Sequence, residues 1–378
     1  MSPPAARSVD PEADAVIIGG GVVGMALAYG LTDAGLSVLV LDEGDVAHRA
    51  SRANFALVWV QGKGMTMPDY ARWTLRSADL WPAFAADIER EAGLSLAYER
   101  RGGVMACLTG EELDARAAAL GRLHNAVPGA ASVERLDHAG LKALMPEIGP
   151  DVAGGTYCPA DGHLNSLRLF HGLHAIAGHR GVHYRPNAAV ETIEPISGGF
   201  RIVTAAGEVQ APRVVLAAGL GNARLAPMVG LHAPVRPQRG EVMVTEKLAP
   251  FLTHPVTFLR QTDEGGVMIG DSQEETGFDT ATDSQVLAAI AARAMRVFPV
   301  LAGARVVRTW SGLRVMSPDG YPVYDTSARC PGASLVTCHS GITLAAVHAR
   351  VIARAIAGDW PADLAPFSAR RFADVPAT

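Results

Sequence analysis

Four apolar residues in a row, Ala15-Val16-Ile17-Ile18, run into Gly19-Gly20-Gly21-Val22-Val23-Gly24 and then into the apolar stretch 25–31. A short unbroken apolar run bounded by glycine predicts a strand covered on both faces, and the longer run after it a buried helix. Val38-Leu39-Val40-Leu41 repeats the buried-strand pattern and ends in Asp42. The apolar run 55–60 would carry the chain back along a sheet. Residues 69–92 and 110–126 space their apolar positions by three and four with charges between, which predicts two amphipathic helices, read as one covering layer. From Gly181 the texture changes to alternation: Val182-His183-Tyr184, Val190-Glu191-Thr192-Ile193, Phe200-Arg201-Ile202-Val203-Thr204 and Gly207-Glu208-Val209 predict strands. Val214-Val215-Leu216-Ala217-Ala218-Gly219 is wholly apolar and ends in small residues, a buried strand against whose end a ligand can lie close. Strands at 241–245, 267–269 and 334–337, a helix at 283–297, and a helix running from Cys338-His339-Ser340-Gly341 to 357 complete the pattern.

These elements predict an α/β fold (α+β overall): a Rossmann-like nucleotide-binding domain beside a second domain with a mixed sheet that holds substrate. The first is expected to be discontinuous, from 13–80, 150–230 and 306–372, and the second to take 81–149 and 231–305, with 1–12 and 373–378 as flexible termini. The length of 378 residues fits two domains. The formal charge of −5 and the dispersed Lys and Arg give no support to nucleic-acid binding. No apolar stretch escapes glycine or charge for long enough to predict a membrane span. The first residues lack the basic segment and hydrophobic run of a secretory signal, so a cytoplasmic location is expected. Four cysteines without a C-x-x-C pair, and twelve histidines without H-E-x-x-H spacing, predict no metal or iron–sulfur cluster in this chain.

The candidate chemistry starts at Gly19-x-Gly21-x-x-Gly24. Gly19 permits the tight turn, Gly21 lets the backbone approach a pyrophosphate, and Gly24 lets helix and strand pack closely. Unpaired N–H groups at the helix start then face the phosphates. Asp42 can accept hydrogen bonds from a ribose diol and would repel a 2′-phosphate, which argues against NADP; Glu43 takes that role if the strand ends one residue later. Ser51-Arg52-Ala53-Asn54 is a polar turn suited to phosphate contact.

Taken with Pro237-Gln238-Arg239-Gly240-Glu241, Trp310-Ser311-Gly312-Leu313-Arg314, Pro318-Asp319-Gly320 and His339-Ser340-Gly341, these motifs occur in the order seen in FAD-dependent D-amino-acid, glycine and sarcosine oxidases, and the chain resembles that family along nearly its whole length. Arg260-Gln261-Thr262-Asp263, Ile269-Gly270-Asp271-Ser272-Gln273-Glu274 and Thr337-Cys338-His339-Ser340-Gly341 resemble most the β subunits of bacterial opine oxidases, D-hydroxyproline dehydrogenases and hydrogen cyanide synthase.

The resemblance implies noncovalent FAD, with the ADP half on the first βα unit. It implies Asp42 on the adenosine ribose, Ser51, Arg52 and Asn54 near pyrophosphate or flavin, the Val190 backbone at the adenine, and Ala218, Gly219, Gly312 and Ser340 along the cofactor. Gly341, Ile342 and Thr343 would turn backbone N–H groups to the N1/O2 edge of the flavin. Arg314 would clamp the substrate carboxylate with its planar fork, directing the α C–H at flavin N5, and His339 would sit beside the ring. The reaction implied is hydride transfer from an amino acid or amine, giving an imine that water hydrolyses. Two departures stand out: Cys338 replaces a glycine common before the histidine, and no cysteine matches the covalent flavin link of monomeric sarcosine oxidases. The β-subunit likeness implies an α subunit and an iron–sulfur subunit as partners. A stand-alone oxidase making hydrogen peroxide, a flavin subunit that only relays electrons, and an NAD-dependent dehydrogenase remain open alternatives at this stage.

Overall fold

The computed structural model describes residues 13–44, 50–358 and 360–373. The glycine turn joins the centre of a six-stranded sheet, ordered Val323–Thr326, Ala333–Thr337, Val214–Leu216, Ala15–Ile18, Val38–Leu41, His183–Arg185. All neighbours run parallel except the antiparallel outer strand Val323–Thr326. The central strands are buried along their whole length, as strands covered on both faces must be. The two-residue period sorts them cleanly. Ala15, Ile17, Val38, Val40 and Val215 enter a core built from helices Val22–Asp33, Pro68–Ala92 and Ser166–His179 and the helix that starts at Gly341. Val16, Ile18, Leu39, Leu41, Val214 and Leu216 enter the opposite core, covered by the antiparallel sheet Val190–Ile196, Gly199–Thr204, Gly207–Ala211.

The second layer is built on the twelve-residue strand Arg236–Lys247, which lies between Gly266–Ile269 and Val306–Met316. A bridge from Val104 to Val256 joins it to the strands Gly103–Cys107, Gly154–Cys158 and Glu134–Asp137. Its own core holds Phe258, Val297, Phe298 and Met145. Among the described residues no single helix is long and apolar enough to cross a membrane.

The pairing departs from the sequence reading in four places. The two amphipathic helices do not share a layer: Pro68–Ala92 buries Trp73, Trp81 and Phe84 against the nucleotide-side helices, whereas Gly110–Ala126 buries only Leu113, Leu120 and Leu123 and lies on the second sheet. Gly154–Cys158 and Val306–Met316, both expected in the nucleotide unit, pair into that second sheet instead. Backbone pairing decides their place, and neither stretch carries enough apolar patterning to announce it. The run at 55–60 yields only Leu57–Val58, paired with Gly162–His163 outside the main sheet. Of the expected termini 1–12 and 373–378, all but residue 373 lie outside the described residues.

Candidate active site

Two adjoining cavities occupy the carboxyl edge of the parallel sheet. The first, about 340 Å³, is lined by Gly19, Gly21, Asp42, Glu43, Ser51, Asn54, Val190, Ala218, Gly219, His339 and Gly341. The second, about 210 Å³, is lined by Asn54, Gly312, Arg314, His339, Ser340, Ile342 and Thr343. Asn54 and His339 line both, so the groove passes from the glycine turn to the face of the second sheet. Of the residues expected at the site, Gly24 and Arg52 line neither cavity. Gly24 acts through packing: a Cβ there would stand 1.9 Å from the carbonyl oxygen of Gly19. Arg52 is exposed.

Gly19 holds φ +109°, a backbone region that favours glycine, and thereby turns the chain out of the sheet. The helix that follows has Gly21 at its start and no side-chain cap of its own. Ser51 closes that gap, its hydroxyl accepting from Val22 N at 2.9 Å. Asp42 is buried and fastens the turn to the second strand: Oδ2 accepts from Gly20 N at 2.7 Å and Oδ1 from Gly44 N at 3.0 Å. The carbonyl of Val190 accepts from Arg224, a cavity-lining residue that the sequence did not single out.

The helix starting at Gly341 has its first turn against that of the first helix, a Cβ at Gly341 falling 3.1 Å from Val22. Thr343 anchors it: its hydroxyl accepts from Trp59 N at 3.1 Å, and its carbonyl accepts from Ser77 at 2.6 Å and Trp81 at 3.0 Å. Ser340 receives the Lys63 ammonium and the Tyr70 hydroxyl, each at 3.0 Å. With two donors on its oxygen, Ser340 has its own proton left for His339 Nδ1, 3.3 Å away. That arrangement places the His339 proton on Nε2. Burial, reinforced by Lys63 and Arg314, lowers the pKa of His339 to about 3, so the ring is a neutral donor. Burial raises the Cys338 thiol to about 12, so it stays protonated.

Arg314 projects from Val306–Met316 onto the second cavity. Nη1 donates to the carbonyls of Ser272 at 2.7 Å and Arg239 at 3.1 Å. Gly240 makes room for it, since a Cβ there would stand 2.4 Å from Nη1. Nε and Nη2 have no partner among the described residues, which is the fork a carboxylate would take. Three groups escaped the sequence reading. Asp271 lines the cavity at φ +87°, a conformation costing about 1–3 kcal/mol that is found where a site over-determines the backbone. Burial raises its pKa, against the pull of Arg314 and Lys63. Lys63 lines the same cavity, and its ammonium is pushed below the ordinary lysine range by burial. Asp161, wholly buried, carries the 60–61 segment on its carboxylate, and burial lifts its pKa to about 7. The glycines flanking Lys63 mark a turn and give no further signal.

The groove fits FAD on this chain's own features: a glycine turn in which a Cβ at the lining Gly21 would crowd Ser51 Oγ at 3.1 Å, the start of the helix with its backbone N–H groups, and Thr337, a lining residue whose buried hydroxyl has no partner among the described residues. Residues 14–355 match the family model described as DAO, FAD dependent oxidoreductase. The chain is 47% identical to an opine oxidase subunit of Agrobacterium tumefaciens (strain Ach5) over 363 residues, covering 96% of this chain and 98% of that protein. It is 45% identical to the corresponding opine oxidase subunit of Rhizobium meliloti, with the same coverage. The crystal structure of glycine oxidase from Geobacillus kaustophilus superposes with a TM-score of 0.87 at 25% identity, covering 95% of this chain and 98% of that one.

Proposed function

The chain belongs to the DAO family of FAD-dependent oxidoreductases, and on that footing we propose that it oxidises the C–N bond of an amino acid bearing a secondary amine, of the opine or D-hydroxyproline kind, as the flavin-bearing subunit of a heteromeric dehydrogenase. The observation that carries this reading is the half-used guanidinium of Arg314 on a cavity whose other side is the His339–Thr343 turn. Arg314 fixes the substrate carboxylate through Nε and Nη2. Asp271 receives the proton that the substrate ammonium must lose before the C–H bond can break, its raised pKa suiting it to that task. His339 donates from Nε2 and adds no charge. Bound FAD supplies the two-electron acceptor. The imine that leaves is hydrolysed by water, and a partner carrying a second redox centre takes the electrons onward. The fold shared with glycine oxidase favours a second reading, direct reduction of oxygen.

Anaerobic mixing of the flavin-loaded chain with glycine, sarcosine, D-proline, cis-4-hydroxy-D-proline, octopine and nopaline, followed by air, separates the readings. Bleaching by a secondary amine with slow recovery in air is the expected result. Fast recovery with peroxide makes the protein an oxidase, and a flavin that no member of the panel bleaches refutes amino-acid oxidation of this class.

A further inference from the structure

The segment 271–283 forms no helix or strand, yet it supplies Ser272, whose carbonyl takes up Arg314 Nη1 at 2.7 Å. Pro237-Gln238-Arg239-Gly240-Glu241 fastens it. Arg239 and Glu274 exchange both backbone hydrogen bonds, at 2.9 and 3.0 Å. Glu241 N donates to Ser272 Oγ at 2.7 Å, and Asp283 N donates to Glu241 Oε1 at 2.8 Å. None of these contacts uses the Arg239 side chain. That guanidinium is buried and lines neither cavity of the site, and it is spent on acids: Nε donates to Glu274 Oε2 at 2.6 Å and Nη1 to Asp279 Oδ2 at 2.7 Å. Glu274 stands close to Arg314 as well. Its charge acts on the Arg314 guanidinium, and its backbone N–H shares the Arg239 carbonyl with Arg314 Nη1. Its other oxygen, Oε1, is buried and has no hydrogen-bond partner among the described residues. Among the same residues no carboxylate oxygen lies within ion-pair distance of Arg314 itself, because Arg239 holds Glu274.

We propose that Arg239 is a positioning residue for the carboxylate site: by pairing with Glu274 it keeps that acid from closing on Arg314, whose Nε and Nη2 stay free for substrate. This rests on the carboxylate site at Arg314 and explains how an arginine with acidic neighbours keeps an open fork. Without the Arg239 charge, Glu274 is a largely buried anion that has lost its counter-ion, and the guanidinium its charge already reaches is that of Arg314. A carboxylate paired there takes the same donors that a ligand carboxylate needs.

Methoxyacetate and methoxyacetamide test it by binding alone. They share a shape, only the first is charged, and neither carries an amine to oxidise. Dissociation constants are read from the shift of the flavin spectrum in the FAD-loaded full chain. The wild-type protein is expected to prefer the acid by about tenfold or more, as one partly buried charge pair contributes. Arg239→Met should bring the ratio near one by weakening the acid only. Adding Glu274→Gln to that variant should restore most of the preference, and Glu274→Gln alone should keep or increase it. Opposite effects from the two partners separate a charge shield from a brace, because a brace is lost from either side. A preference that survives Arg239→Met, or one that Glu274→Gln abolishes, overturns the proposal. Should Arg239→Met fail to hold FAD, the double variant and Glu274→Gln still decide. A wild-type ratio near one refutes the carboxylate site at Arg314 on which the proposal rests, so the two failures are told apart.

Discussion

Replacing Arg314 by alanine isolates what a guanidinium fork contributes. In the intact protein Nη1 is spent on two carbonyls, Ser272 at 2.7 Å and Arg239 at 3.1 Å, so the substrate carboxylate receives at most the Nε and Nη2 hydrogen bonds. Charge-assisted bonds are worth about 1.5–3 kcal/mol each, and truncating one partner of a buried charge pair costs about 2–5 kcal/mol. At about 1.36 kcal/mol per decade, Arg314→Ala should lower the ratio of reduction rate to substrate dissociation constant by roughly 30- to 5000-fold. Arg314→Lys keeps the charge but not the planar fork and should fall between. The same change takes the Arg314 donor from the Ser272 carbonyl, whereas Arg239 O keeps its bond from Glu274 N at 3.0 Å; losing a buried donor costs about 1–3 kcal/mol of stability, so rates must be expressed per bound flavin. The assay is anaerobic stopped-flow reduction, run in parallel with an amine that lacks a carboxylate. Equal losses on both substrates, or no loss on either, would show that Arg314 braces the sheet and does not hold substrate.

Three further outcomes are expected. Gly24→Ala sets a Cβ 1.9 Å from the Gly19 carbonyl and should strip FAD from the purified protein; a normal flavin-to-protein absorbance ratio contradicts the turn assignment. Ser77→Ala removes one of the two donors on the Thr343 carbonyl and should lower unfolding stability by about 1 kcal/mol in denaturant titration, with Trp81 retaining the other bond. The buried Asp161 carboxyl has its folded pKa raised to about 7 from 3.8, so the folded state holds its proton more tightly; the stability this contributes is present below pH 3.8 and lost as pH rises through about 7. Relative to Asp161→Asn, the wild-type melting temperature should therefore rise as pH falls from 7 toward 4, and parallel curves would refute the shift.

The nucleotide half was legible because its determinants are contiguous. Strand, Gly19–Gly24 turn, helix and acid-ended strand follow one another within thirty residues, and each signal constrains the next. Arg314 was legible through its family motif. Ser51 lines the groove, but its capping of Val22 N is a tertiary contact across 29 residues of chain that no local pattern encodes. Arg52 illustrates the limit of proximity in sequence: it shares the turn with Ser51 and Asn54, yet is exposed and lines neither cavity.

The misread sheet membership has the same origin as the missed charged groups. Val306–Met316 alternates poorly, with Val306 and Val307 exposed at its start and Ser311 and Gly312 in its middle, so composition reads as loop; ten register pairs with Arg236–Lys247 make it a strand. That pairing carries Gly312 against Ala53, where a Cβ would approach the Ala53 Cβ to 2.3 Å, and sets Arg314 over the cavity two residues on. Lys63 meets Ser340 across 277 residues of chain, and Asp271 reaches the same cavity through a strained turn. A lysine between two glycines reads as a surface turn in any sequence. Only assembly of the three segments, each supplying one charged or polar group to a single cavity, turns that residue into chemistry, because burying its charge carries a cost that a surface lysine escapes.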